Sequence, residues 1–109
     1  MSSGNYIIIY CTVPSDEVGN AIAEDIVSSR LAACVNIVPN ITSIYRWKDK
    51  ICRDFENLLI IKSKKSLFDK ICAAIRNNHP YEVPEIISVD IEGGSEPYLS
   101  WIGNNTLPS

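Results

Sequence analysis

The order of apolar patterns along the chain predicts an α+β fold of the ferredoxin-like kind: a β-α-β-β-α-β sandwich with a long hairpin between its second and third strands and a short helix at the end. Three observations carry this. Two stretches of helical periodicity, Val18-Ala21-Ile22-Ile26 and Leu67-Phe68-Ile71-Ile75, each follow a β-branched run. Between them lie two long strand-like stretches, 33–47 and 51–62, joined at Lys48-Asp49-Lys50. A last strand-like run, Ile86–Ile91, follows the second helical stretch. Two interlocked βαβ units with right-handed crossovers then give the spatial strand order 4-1-3-2.

Each element has a local reason. Residues 6–11, Tyr-Ile-Ile-Ile-Tyr-Cys, are a short apolar, β-branched run and read as a buried strand. Pro14 and Ser15 punctuate it. Ser15 is placed to cap the next helix, and Asp16 and Glu17 suit that helix's positive end. Gly19 marks close packing within it, and Arg30 lies near its end. Pro39-Asn40 interrupts the long second strand and predicts a bulge. Ser66 and Asp69 have capping-box spacing ahead of the second helix, and Asn77-Asn78 with Pro80 end it. Pro80 and Pro84 fix φ and disfavour helix at His79 and Val83, so His79–Glu85 is a stiff, extended connection. Gly93-Gly94 turns the chain, Ser95 is a cap, and Pro97 suits a first helical turn. Tyr98, Leu99, Trp101 and Ile102 make the C-terminal helix amphipathic, and Gly103 is expected to end it. Residues 1–4 and 104–109 are expected to be loose.

With 109 residues the chain is one domain, 1–109, and 46% apolar residues supply a core without metal or disulfide staples. The net charge is −3, and basic residues cluster only at Lys62-Ser63-Lys64-Lys65, which is not the footprint of a nucleic-acid binder. No run approaches the length of a membrane span, and the N-terminus lacks the charged and apolar regions of a signal peptide. Cys11, Cys34, Cys52 and Cys72 are spaced about twenty residues apart with no C-x-x-C pair, which reads as reduced thiols in a cytoplasmic chain.

The hairpin is longer than a domain of this size can cover. Tyr45, Trp47, Ile51 and Phe55 alternate along its strands and are expected to share a face, buried against another subunit. The topology also brings distant residues together. The end of the first strand (Cys11, Thr12), the start of the first helix (Ser15) and the loop from His79 to Glu85 lie at one end of the sheet, with Lys62 and Arg30 at the other.

Cys thiolate and imidazole suit copper or zinc, which makes Cys11 and His79 candidate metal ligands, with Glu82, Glu85 or a neighbouring subunit completing the set. The plainer alternative is a buried small residue beside a histidine that bonds at a helix end. A thiol–imidazole pair can also serve nucleophilic catalysis, but no oxyanion device or orienting third residue is legible, so the chain is not expected to be an enzyme. No phosphate-cradling glycine motif is present. Lys62, Lys64 and Lys65 make a basic turn that either attracts an anion or is simply solvated. Tyr45, Trp47, Phe55, Tyr81, Tyr98 and Trp101 supply core, interface or cleft-lining area, and Tyr81 is the best placed to face a cleft.

Leu31-Ala32-Ala33-Cys34-Val35-Asn36-Ile37, Ile41-Thr42-Ser43-Ile44-Tyr45-Arg46-Trp47, Leu58-Leu59-Ile60-Ile61-Lys62, His79-Pro80-Tyr81-Glu82-Val83-Pro84-Glu85 and Tyr98-Leu99-Ser100-Trp101-Ile102 together resemble the CutA family of divalent-cation tolerance proteins. The resemblance runs from about Tyr6 to Ile102. It implies a ferredoxin-like fold assembled as a homotrimer through the long hairpin, and a link to tolerance of copper and other divalent cations. The copper ligands it implies fall on Cys11, His79 and Asn78; asparagine at the third position is a departure from the family's histidine. Asp49 stands where the family commonly has glycine. Trimeric PII regulators share the broad architecture, so a signalling or scaffold trimer that binds a small anionic ligand or a protein partner in its intersubunit cleft is the alternative reading.

Overall fold

Strand β1 (Tyr6–Val13) runs through the middle of the sheet, and its alternation divides the molecule. Ile7, Ile9, Cys11 and Val13 point to one face and are buried there. The computed structural model describes residues 5–108. After β1 come α1 (Asp16–Ser28), β2 (Cys34–Trp47), β3 (Lys50–Lys64), a 3-10 turn (Lys65–Leu67) leading into α2 (Phe68–Asn78), β4 (Ile87–Asp90) and α3 (Glu96–Asn104). The sheet order is β2-β3-β1-β4 with every pair antiparallel, which is the expected order read from the other edge.

Helices α1 and α2 cover the β1 face just named. Ile22, Ile26, Ile71 and Ile75 pack there against Ile7, Ile9, Leu59 and Ile61. Each such side chain contributes on the order of 1.5–3 kcal/mol by leaving water. Ser15 caps α1 as expected, its Oγ accepting from the Val18 N–H at 3.2 Å. Gly19 allows the close approach the sequence implied: a Cβ there would stand 3.2 Å from Val13 Cγ2. The opposite face of the sheet is covered at one end by α3, whose Leu99 and Ile102 pack on Tyr6 and Ala33, and at the other by the segment after α2, whose Tyr81 bonds the buried Glu56.

Several local expectations change. Ser66 does not cap α2; it lies inside the 3-10 turn, and Leu67 takes the position before the helix without a side-chain bond. Ser95 precedes α3 as expected, but its carbonyl, not its hydroxyl, bonds the first turn through the Tyr98 and Leu99 N–H groups. Gly103 does not end α3, which runs on to Asn104. Its role is steric: a Cβ there would meet the Tyr6 hydroxyl at 2.9 Å. The tail after α3 is anchored through Leu107. Thr106 is buried, the Leu107 N–H bonds the Arg30 carbonyl at 2.8 Å, and Lys64 Nζ donates to the Leu107 carbonyl at 2.8 Å. Residues 1–4 and 109 lie outside the described residues.

The β2–β3 hairpin makes the molecule long, 45 × 25 × 22 Å. Its ladder shifts register between Val38 and Ile41, where Asn40 adopts φ 60°, so the expected bulge is present. The Asn40 N–H bonds Asn57 Oδ1 at 3.1 Å, and Asn57 Nδ2 donates to Asp16 Oδ1 at 2.5 Å, which ties the bulge to the start of α1. At the tip Trp47 pairs with Lys50, leaving Lys48 and Asp49 as a two-residue turn with φ 50° and 63°.

That turn corrects the expected grouping of apolar residues. Pairing Trp47 with Lys50 sets Tyr45 opposite Cys52 and Thr42 opposite Phe55. Directly paired residues project to the same face. Tyr45 and Trp47 therefore lie on one face of the arm with Cys52, Asp54 and Glu56, and Ile51 and Phe55 lie on the other with Ile44.

Candidate functional site

The His79–Glu85 loop leaves the end of α2 and closes over the end of β1. His79 follows the last helical residue in an extended conformation and is 9% exposed. Its Nε2 lies 2.8 Å from the Thr12 carbonyl, and its Nδ1 lies 3.2 Å from the Tyr81 backbone nitrogen. A carbonyl only accepts and an amide N–H only donates, so the ring is the neutral tautomer protonated at Nε2. The Cys11 thiol points to the same Thr12 carbonyl at 3.7 Å. The topology thus brings Cys11 and His79 together as expected, around one backbone oxygen.

Neither group offers a free donor to a metal. Both ring nitrogens of His79 hold backbone partners. Cys11 is fully buried, and desolvation first, then the charges of Glu85 and Glu56, push its thiol up to about 12. A thiol in that state is protonated at neutral pH and is not a nucleophile. Asn78 turns away, donating to Asp25 Oδ2 at 3.1 Å and to the Ala74 carbonyl at 3.0 Å, and so joins α2 to α1. The residues implied as copper ligands do not fit copper as they are arranged. Among the described residues no three His, Cys, Asp or Glu side chains converge as metal ligands.

What the loop does form is one wall of a cleft of about 670 Å³. Pro80, Tyr81, Glu82, Val83 and Glu85 supply that wall, the arm supplies Ser43, Ile44, Tyr45, Trp47 and Glu56, and Thr12 completes it. Glu56 is 6% exposed, and its Oε2 accepts from the Tyr81 hydroxyl at 2.8 Å. The Tyr81 ring rests on His79 with centroids 4.6 Å apart. Burial, then the bond to Glu56, raises the pKa of the Tyr81 phenol. Across the cleft the Tyr45 hydroxyl donates to Asp54, and chiefly that bond pushes the phenol up to about 12. Both rings are therefore neutral donors held in place by carboxylates.

Of the residues singled out in the sequence, Tyr45, Trp47, Tyr81, Glu82 and Glu85 line this cleft. Phe55 lies on the opposite face of the arm. Lys62 donates to Asn36 in the sheet, and Tyr98 stacks on Trp101 along α3 with centroids 5.5 Å apart. Thr12 lies at the sheet end where the topology places it, beside the loop, whereas Glu56 is not among the residues singled out in the sequence. Glu56 was findable once the turn length was known, because the register puts it on the face of Tyr45 and Trp47.

A family model described as CutA1 divalent ion tolerance protein matches residues 7–105, which takes in the arm, the loop and the cleft. The chain belongs to the CutA1 family. Within that family it is 48% identical over 103 residues to a chloroplastic CutA 1 protein of Oryza sativa, covering 94% of this chain and 58% of the rice protein. It is 46% identical over 99 residues to the divalent-cation tolerance protein CutA of Thermus thermophilus, covering 91% of this chain and 96% of that one. The crystal structure of CutA1 from Oryza sativa superposes with a TM-score of 0.94 at 47% identity, covering 99% of this chain and all of that one. The chain thus spans under two thirds of the full rice protein. The CutA1 likeness and the fold agree on the ferredoxin-like topology.

Proposed function

We propose that this chain serves in tolerance of divalent cations, copper among them, as a cytoplasmic homotrimer, and that cations meet it at the carboxylates of the cleft. The observation that carries this is the charge of the lining: Glu56, Glu82 and Glu85 contribute three carboxylates, and none of the described lining residues is Lys, Arg or His. Carboxylates and carbonyls are the donors that hard divalent cations accept, and copper(II) takes oxygen ligands as well. Residues from a second subunit complete the coordination, because the carboxylates of one subunit do not converge. Assembly is supported by apolar surface with no cover in one chain: Phe55 is 78% exposed, Ile51 66% and Ile44 59% on the arm, and Ile87 55% on β4. The relatives' names, which speak of divalent-cation tolerance, support the same role.

Calorimetric titration of the assembled protein with Cu²⁺ tests the reading. Glu82→Gln and Glu85→Gln are expected to weaken binding at least tenfold, and Cys11→Ala to leave it unchanged. Binding that survives both carboxylate changes and is lost in Cys11→Ala and His79→Ala returns the site to the thiol and imidazole.

A second reading has one observation in its favour. A separate cavity of about 480 Å³, lined by Lys64, Lys65, Ser66 and Ser100 among others, suits a small anion and a signalling or scaffold role. A thermal-shift screen with nucleotides and phosphorylated metabolites tests it.

A further inference from the structure

We infer that the cleft between the arm and the His79–Glu85 loop binds an organic cation, a linear aliphatic polyamine. The inference goes beyond the divalent-cation reading and stands without it.

The cleft combines two chemistries that a metal ion does not use together. Three aromatic side chains, Tyr45, Trp47 and Tyr81, share its walls with three carboxylates, Glu56, Glu82 and Glu85. Aromatic faces attract alkylammonium groups through the ring quadrupole, and carboxylates attract them by charge. The rings are set in advance. Tyr81 is fixed through its hydroxyl by the buried Glu56 and along its ring by His79, and Tyr45 is fixed by Asp54. A phenol that donates to a carboxylate has a more electron-rich ring, which strengthens its hold on a cation.

The spacing favours an extended ligand over a point charge. Glu82 and Glu85 stand three residues apart on a proline-flanked segment that bends at Glu82 and Val83, rather than staying extended throughout as its sequence suggests, so they are at most about 10 Å apart along the chain. Glu56 sits separately on the arm across the cleft. An ion needs its ligands within a few ångström of one point, and here they do not converge. Ammonium groups separated by methylenes can meet separate carboxylates, and the methylenes between them can lie on Val83 and the rings. A small anion is opposed by the same charges.

Spermidine is the probe, added to the assembled full-length protein at fixed low ionic strength. In a Trp101→Phe background Trp47 is the only indole, and its fluorescence follows the cleft directly; Trp101 lies on α3, stacked on Tyr98, and does not line the cleft. Spermidine is expected to bind saturably and change that fluorescence, while its fully N-acetylated counterpart leaves it unchanged. By calorimetry, Trp47→Ala and Glu85→Gln should each weaken spermidine binding about tenfold or more, and Trp47→Phe should recover most of the loss by restoring an aromatic face. Circular dichroism shows whether each variant keeps its fold. Binding that Trp47→Ala leaves unchanged marks general attraction to an acidic surface and overturns the proposal, as does equal binding of the acetylated compound. Cu²⁺ titration of Trp47→Ala separates the two readings. Copper binding kept while spermidine binding is lost supports both, and spermidine binding without copper binding in the parent protein overturns the metal reading alone.

Discussion

The two halves of the β2–β3 ladder are built from the same hydrogen-bonded pairs and meet opposite surroundings. Below the bulge, Val35 pairs with Ile61 and Ile37 with Leu59, and these side chains lie under α1 and α2. Above it, Thr42 pairs with Phe55 and Arg46 with Ile51, with no helix over them, so Phe55 is 78% exposed where Ile61 is 0% exposed. Backbone pairing is continuous apart from the bulge, but burial is not. Apolar area contributes free energy only where it leaves water, so the lower half is stabilised within the subunit, and the upper half would gain the same stabilisation only from the second copy proposed above. The cleft lies at the seam, where the arm leaves the covered sheet and the His79 loop reaches across to it.

The largest difference should come from equal truncation of the two halves. Ile61→Ala is expected to cost about 2–5 kcal/mol of unfolding free energy in urea melts. Ile51→Ala should cost the single subunit little and show itself in association instead. A second change of similar size separates the halves by pH. Cys11 sits in the covered half with its thiol raised from 9.0 to about 12. Between those values the unfolded chain loses this proton and the folded chain keeps it, so stability is intact below about pH 9 and falls as pH rises, by about 1.4 kcal/mol per pH unit. Cys11→Ala should flatten that alkaline decline, and an unchanged slope in chemical melts would remove Cys11 as its source.

Phe55→Asp comes next. It places a charge on the arm's uncovered face and is expected to weaken association by about 2 kcal/mol or more. Sedimentation velocity over a dilution series reads this directly, and unaltered association would mean that this face meets nothing. His79→Ala removes the link from the loop to β1 and leaves the Thr12 carbonyl and the Tyr81 N–H without their partner. A cost of about 1–3 kcal/mol is expected, with faster hydrogen exchange at the Tyr81 amide. The smallest effect is at the tip. Asp49 holds φ 63°, and Asp49→Gly should change stability by less than about 1 kcal/mol, in the favourable direction, by relieving a left-handed conformation.

The element order, the strand order and the bulge were legible because periodicity and proline placement act locally and agree with one another. The face assignment on the arm was not legible, because parity depends on turn length. A three-residue loop at 48–50 would pair Trp47 with Ile51 and put Tyr45, Trp47, Ile51 and Phe55 together. The observed two-residue turn moves every partner by one and separates them. Strand β4 is shorter than its apolar run because Ile86 packs on the core instead of pairing, although the Ile91 N–H still reaches the Tyr6 carbonyl. The meeting of Cys11 and His79 followed from topology alone. Their chemistry did not, because it turns on one carbonyl, that of Thr12, which has no mark in the sequence. Glu56 escaped notice because a carboxylate in a strand reads as solvent-facing, whereas here Tyr81 covers it.

Sedimentation equilibrium of the parent chain beside an Ile51→Asp, Phe55→Asp double variant is the most direct check on the arm. The parent should sediment at three times the 12.1 kDa chain mass at every concentration where it remains folded, and the double variant should dissociate. A parent chain that is a folded 12.1 kDa monomer at micromolar concentration would contradict the need for a second copy over the arm.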